Sequence, residues 1–197
     1  MSSFRIFTES KADIRFIRDY VSEHFKEILS ETVDFDILEG NGGYKKGGRL
    51  KSSIQQNHDS DKQTILILDA DNNFTQRNAE VIRDFQDYNI PVNLFLFPND
   101  AHIGNLETLL TEIAVDRTPI NCFMTYEECV RAYNLPLDKS RIYAYLDAVL
   151  PQESKIHKKN DLRIAENRNY RDSDYWNLHH EYLKPLHDFL SPFFLEK

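Results

Sequence analysis

Acidic side chains recur in this chain where apolar runs end. Glu9 follows the run Phe4 to Thr8, and Asp13 stands four residues further on. Asp69 and Asp71 follow the apolar stretch Thr64 to Leu68, and Glu107 comes soon after Val92 to Phe97 and the turn PNDAHIG. Carboxylates gathered at one edge repel one another unless a hard cation neutralises them, and an all-oxygen ligand set suits Mg²⁺, Mn²⁺ or Ca²⁺. Glu9, Asp13, Asp69, Asp71 and Glu107 are therefore the candidate metal ligands, with Mg²⁺ or Mn²⁺ as the expected cofactor. Structural alternatives stand beside this reading. Ser10-Lys-Ala-Asp13 has the spacing of a helix capping box with Asp in place of Glu, Asp71 reads equally as the cap of the next helix, and Glu107 as a first-turn acid favoured by the helix dipole. Asp69 is hardest to explain away, because a carboxylate directly after buried strand residues is costly unless something pairs with it.

Other polar groups carry weaker signals. His102, in the loop beside the acids, could move a proton or orient a phosphate, and reads equally as an exposed loop residue. His179 and His180, near Trp176, lack a carboxylate at metal-ligand spacing and read as packing or surface residues. The segment GNGGYKKGG holds five of the six glycines of the chain but lacks the GxxxxGK[ST] pattern of a phosphate-binding loop. Lys45 to Lys51 and Lys155 to Lys159 read as solvated loops or as contacts to a nucleic-acid backbone.

The elements that must position these residues follow from periodicity. Strands are expected over Ser3–Thr8, Val33–Leu38, Thr64–Leu68 and Val92–Phe97. The first helix carries Phe16, Ile17, Tyr20, Val21, Phe25 and Ile28 on one face. Further helices are expected over Leu50–Asn57, around Ala79 to Phe85 and from Asn105. Strands alternating with helices imply a mainly parallel sheet covered on both faces, in which ligands bind outside the carboxyl ends of the strands. From Pro119 the pattern is helical, over Phe123–Tyr133, Lys139–Val149 and Tyr182–Leu190. Pro151 to Asp174 has no periodicity and reads as a mobile loop.

The chain has 197 residues, which suits one buried core rather than two full domains. The expected organisation is an α/β core over residues 1–118 and a helical extension over 119–197 packed on the same domain. Apolar residues make up 41% and charged residues 28%, the values of a globular protein. A net charge of −8 disfavours a general phosphate-coating surface without excluding nucleic acid as substrate. No apolar run reaches the length of a membrane span and no signal segment opens the chain, so a cytoplasmic protein without membrane contact is expected. Cys122 and Cys129 are the only cysteines, read as two half-buried thiols.

FTESKADIRF after the first strand, ILILDADNN after a buried strand and the later FPNDAHIGNLETLL together resemble the Toprim superfamily. Within it, the chain is similar to small stand-alone Toprim-like proteins of the DUF3226 type, related to the nuclease domain of the overcoming-lysogenization-defect proteins. The ending YWNLHHEYLKPLHDFL extends the likeness. The resemblance implies a Toprim-like three-layer α/β fold with a mainly parallel sheet of about four strands. It implies Glu9 as general acid/base or metal ligand, Asp69 and Asp71 as metal-holding catalytic residues, and Asp13 and Glu107 as the acids that complete a two-metal site. The implied activity is a metal-dependent nuclease acting on DNA or RNA in repair or defence. The alternative is a non-catalytic binding or regulatory subunit working with a protein partner such as an ATPase. The chain departs from the family at Ser10, where glycine is usual; serine suits that turn only while φ stays negative.

Overall fold

A computed structural model of the chain describes residues 4–38, 48–86, 91–155 and 161–195. The glycine-rich stretch GNGGYKKGG lies outside these residues but for Gly48, as do Lys45, Lys46 and 156–160 of the two basic stretches. Four strands, β1 (Phe4–Thr8), β2 (Phe35–Ile37), β3 (Gln63–Asp69) and β4 (Val92–Phe97), form an all-parallel sheet in the order β2-β1-β3-β4. Its register pairs Ile6 with Phe35 on one side and with Ile65 on the other, and Ile65 with Asn93.

Alternation along the strands builds two apolar layers. Ile6, Ile65, Ile67, Phe95 and Phe97 face one layer. Phe7, Leu66, Leu68 and Leu96 face the other, which is closed by Ile54 of α2 (Gly48–Asp59) and by Val81 and Phe85 of α3 (Phe74–Gln86). The first layer is larger. It takes in α1 (Lys11–Phe25), α4 (Leu106–Ile113), α5 (Arg117–Val130), α6 (Asp138–Val149) and α7 (Lys184–Phe194). The last helix reaches back to the first strand, where the rings of Phe193 and Phe194 meet Phe4 edge-on at centroid distances of 6.2 and 5.1 Å. The fold is thus α/β with a C-terminal helical extension, as expected. Among the described residues, no helix is long and apolar enough to cross a membrane.

Three expectations need correction. Ile28 does not continue the apolar face of α1: Lys26 turns the chain out with φ 59°, and Ile28 is 87% exposed. Cys122 and Cys129 are exposed rather than half-buried, because α5 is a surface helix that buries Ile120 alone. Most consequentially, residues 161–174 are a fastened strap. Tyr170 and Arg168 are buried, Arg15 Nε donates to the Arg168 carbonyl at 2.6 Å, and the Tyr170 N–H donates to Asp19 Oδ2 at 2.8 Å. Short 3-10 turns carry no hydrophobic period, so the sequence pattern misses this packing.

Candidate active site

The strand order reverses between β1 and β3: the chain leaves β1 toward β2 on one side and returns to β3 on the other. Connections diverge at such a point and open a crevice at the carboxyl ends of the strands. Glu9 directly follows β1, and Asp69 is the last residue of β3. Both line one cavity of 530 Å³, together with Asp13, Asp71 and Glu107. All the acids singled out in the sequence therefore reach one place.

Each arrives by a different local device. Asp13 enters through the first turn of α1, where Ser10 is the N-cap. Its hydroxyl accepts from the Asp13 N–H at 3.3 Å, and Asp13 Oδ2 accepts from the Ser10 N–H at 2.8 Å. The capping box is real, and the capping carboxylate also lines the cavity. Ser10 has φ −148°, ordinary extended backbone, so the absence of glycine brings no strain there.

Asp71 does not cap α3. Asn73 Oδ1 takes the Gln76 N–H at 3.0 Å instead, while Asp71 sits in the left-handed region with φ 54°. Asp71 and Gly104 exchange backbone hydrogen bonds of 2.9 and 2.8 Å, clipping the exit of β3 to the loop before α4. Gly104 has φ +133°, and a Cβ there would lie 2.5 Å from Thr108 Oγ1, so only glycine fits. The clip brings the N-terminus of α4, with Glu107 in its first turn, onto Asp69, whose Oδ1 accepts the Leu106 N–H at 3.3 Å.

Electrostatically the cavity is loaded. Burial pushes Asp69 well above the usual carboxylate range, and Asp13, Glu9, Glu107 and Asp71 push in the same direction. Asp13 is raised to about 7, first by burial and then by Glu9 and Glu107, against its hydrogen bonds with Ser10. Burial raises Glu9 too, opposed by Arg77, whose Nη2 lies 2.5 Å from Glu9 Oε1 while its Nε donates to the Asp69 carbonyl at 3.2 Å.

Among the described residues the donor set is oxygen-rich and free of histidine and cysteine, which suits Mg²⁺ or Mn²⁺. As placed, however, no three His, Cys, Asp or Glu side chains among the described residues converge closely enough to hold a metal ion. Glu9 is paired with Arg77, and Asp13 accepts from the Ser10 N–H.

No protein-family model, curated protein or solved structure matches this chain.

Pattern reading missed several residues of the cavity. Lys11 and Lys139 stand exposed at its margin, Tyr143 follows one turn after Lys139 on α6, and Arg168 comes from the strap. Arg77 left a signal: Arg77, Val81 and Phe85 share one buried face of α3, and an arginine on such a face calls for a buried partner. His102 is exposed and bonds to Asn99, and it is not among the residues lining the cavity.

Proposed function

We propose that this chain is a Toprim-like, divalent-metal-dependent phosphodiesterase acting on nucleic acid, in repair or defence. The observation that carries this reading is the gathering of Glu9, Asp13, Asp69, Asp71 and Glu107 around one cavity at the crossover of the strand order. Buried carboxylates that raise one another's pKa have a use for a cation, and such groups cluster at functional sites. Asp69, Asp71, Asp13 and Glu107 would hold Mg²⁺ or Mn²⁺, and Glu9, raised by burial, would take or give a proton at its carboxylate. When bound, such an ion lowers the pKa of coordinated water and offsets charge on phosphoryl oxygens.

The second reading is a Toprim-like binding or regulatory subunit beside a protein partner such as an ATPase. It is favoured by the Glu9–Arg77 pair and the Asp13–Ser10 bond, which satisfy two of the acids without any metal.

Calorimetric titration of metal-free protein with Mn²⁺ and Mg²⁺ separates the two, compared with an Asp69→Asn, Asp71→Asn double variant. Saturable binding that disappears in the variant, with Mn²⁺-dependent cleavage of DNA or RNA, is the expected result. A wild-type protein that binds no divalent ion and cleaves neither polymer would end the phosphodiesterase reading, and co-purification with a stoichiometric partner would then support the second.

A further inference from the structure

We infer that Arg168 is the phosphate-gripping residue of this cavity, so that the C-terminal strap binds the backbone of a nucleic-acid strand. The inference rests on the phosphodiesterase reading and deepens it.

Arg168 is 4% exposed and lines the same cavity as the acids. Its Nη2 donates to the Arg163 carbonyl at 2.8 Å and its Nη1 to Tyr170 Oη at 3.4 Å, while its buried Nε has no hydrogen-bond partner among the described residues. The Tyr143 ring lies beneath the guanidinium at 6.0 Å from its centroid. Arginine stays charged in any protein environment, so a buried unmade N–H bond is a standing cost unless something accepts it.

A counter-charge for the acids is the simplest competing role, and the geometry argues against it. Arg77 shows what that role looks like, with a carboxylate oxygen at 2.5 Å. Neighbouring arginines are likewise paired, Arg15 with Asp19 at 3.4 Å and Arg163 with Asp161 at 2.9 Å. Arg168 has no such pair among the described residues, although six carboxylates, Glu166 of the strap among them, line its cavity. Its position is also set from outside the cavity, through its carbonyl, which takes the Arg15 Nε–H, and through the Tyr170 N–H two residues on, which donates to Asp19. A guanidinium held in place, desolvated and with N–H capacity left over is prepared for an anion that presents a pair of oxygens to it, as the two non-bridging oxygens of a phosphodiester do. Among the acids, the anion that fits is one that arrives with divalent cations, which a phosphodiester does.

The test uses the full chain loaded with Ca²⁺ and a fluorescein-labelled single-stranded oligonucleotide, read by anisotropy, with metal binding followed separately by calorimetry. Arg168→Met is expected to keep the heat of metal binding while weakening the oligonucleotide about tenfold or more, as befits a charge-assisted contact. It should also flatten the salt dependence by about one phosphate contact. Arg168→Lys should recover part of the affinity. Because the Met variant can fail to fold, the wild-type Nε–Hε resonance of Arg168 provides a second reading by NMR, expected to shift as oligonucleotide is added. Unchanged affinity in a folded Met variant, or a resonance that stays put while the oligonucleotide binds, would overturn the inference and leave the metal reading intact. A wild-type protein that binds no metal and no oligonucleotide would overturn both.

Discussion

Replacing Asp69 with asparagine is expected to make the metal-free protein more stable at pH 8, by about 1–2 kcal/mol, while abolishing Mn²⁺ binding. The Asp69 carboxyl is raised well above its ordinary value by burial and then by Asp13, Glu9, Glu107 and Asp71, and Asp13 is raised to about 7. Between the ordinary carboxylate pKa of about 4 and these raised values, the folded chain holds more protons than the unfolded one. The stability associated with both groups is then fully present at low pH and is lost as the pH rises through the folded pKa values. Asparagine removes one of the repelling charges. The gain over wild type should therefore be largest at pH 8 and shrink toward pH 4. Urea unfolding of both proteins across that range, in chelator, checks it; a difference that does not change with pH would mean that the acids do not burden the fold. Saturating Mn²⁺ should act only on the wild type. Ligand at one hundred times its dissociation constant stabilises by about 2.7 kcal/mol, which raises the melting temperature of a chain this size by about 5–10 °C.

Arg77→Met should be the most damaging single change near the site. The side chains of Arg77 and Glu9 are 7% and 9% exposed, and removing the cation leaves a buried carboxylate beside Asp69 and Asp71. Breaking a buried pair from one side costs about 3–5 kcal/mol, a fall in melting temperature of about 10 °C or more. Removing both partners in Arg77→Met, Glu9→Gln should return much of that loss, because a buried pair replaced whole is often close to neutral. Calorimetric melting of the single and double variants closes the cycle. A double variant no more stable than Arg77→Met would show that Arg77 acts mainly through the Asp69 carbonyl rather than through Glu9.

The legibility of this chain in its sequence was uneven for physical reasons. Ile65 to Leu68 is apolar at every position because β3 is central and buried on both faces, and that signature is hard to mistake. The acids were visible because a parallel sheet makes the end of each strand the rim of a crevice, so position along the chain translates into position in space. Arg168 was not visible, since it lies where hydrogen bonds to Arg15 and Arg163 replace periodic packing, and neither bond leaves a spacing pattern. The choice posed at Asp13 between capping and site was a false one, for a single carboxylate does both. The arrangement of Glu9 also escaped the sequence, because its partner Arg77 is sixty-eight residues away on the helix of the opposite layer.

The fastening of Tyr170 to Asp19 spans 151 residues of sequence and joins the strap to the helix that begins at the site. An amide so held can exchange its hydrogen with solvent only when that helix lets go, which for a buried helix means opening much of the domain. Tyr170 should therefore exchange its backbone hydrogen on the slow timescale of the central strands, although it lies in neither helix nor strand. Measured amide by amide, the strap would emerge as part of the most persistent cooperative unit of the molecule, and its order of release would set the pace at which the cavity comes apart.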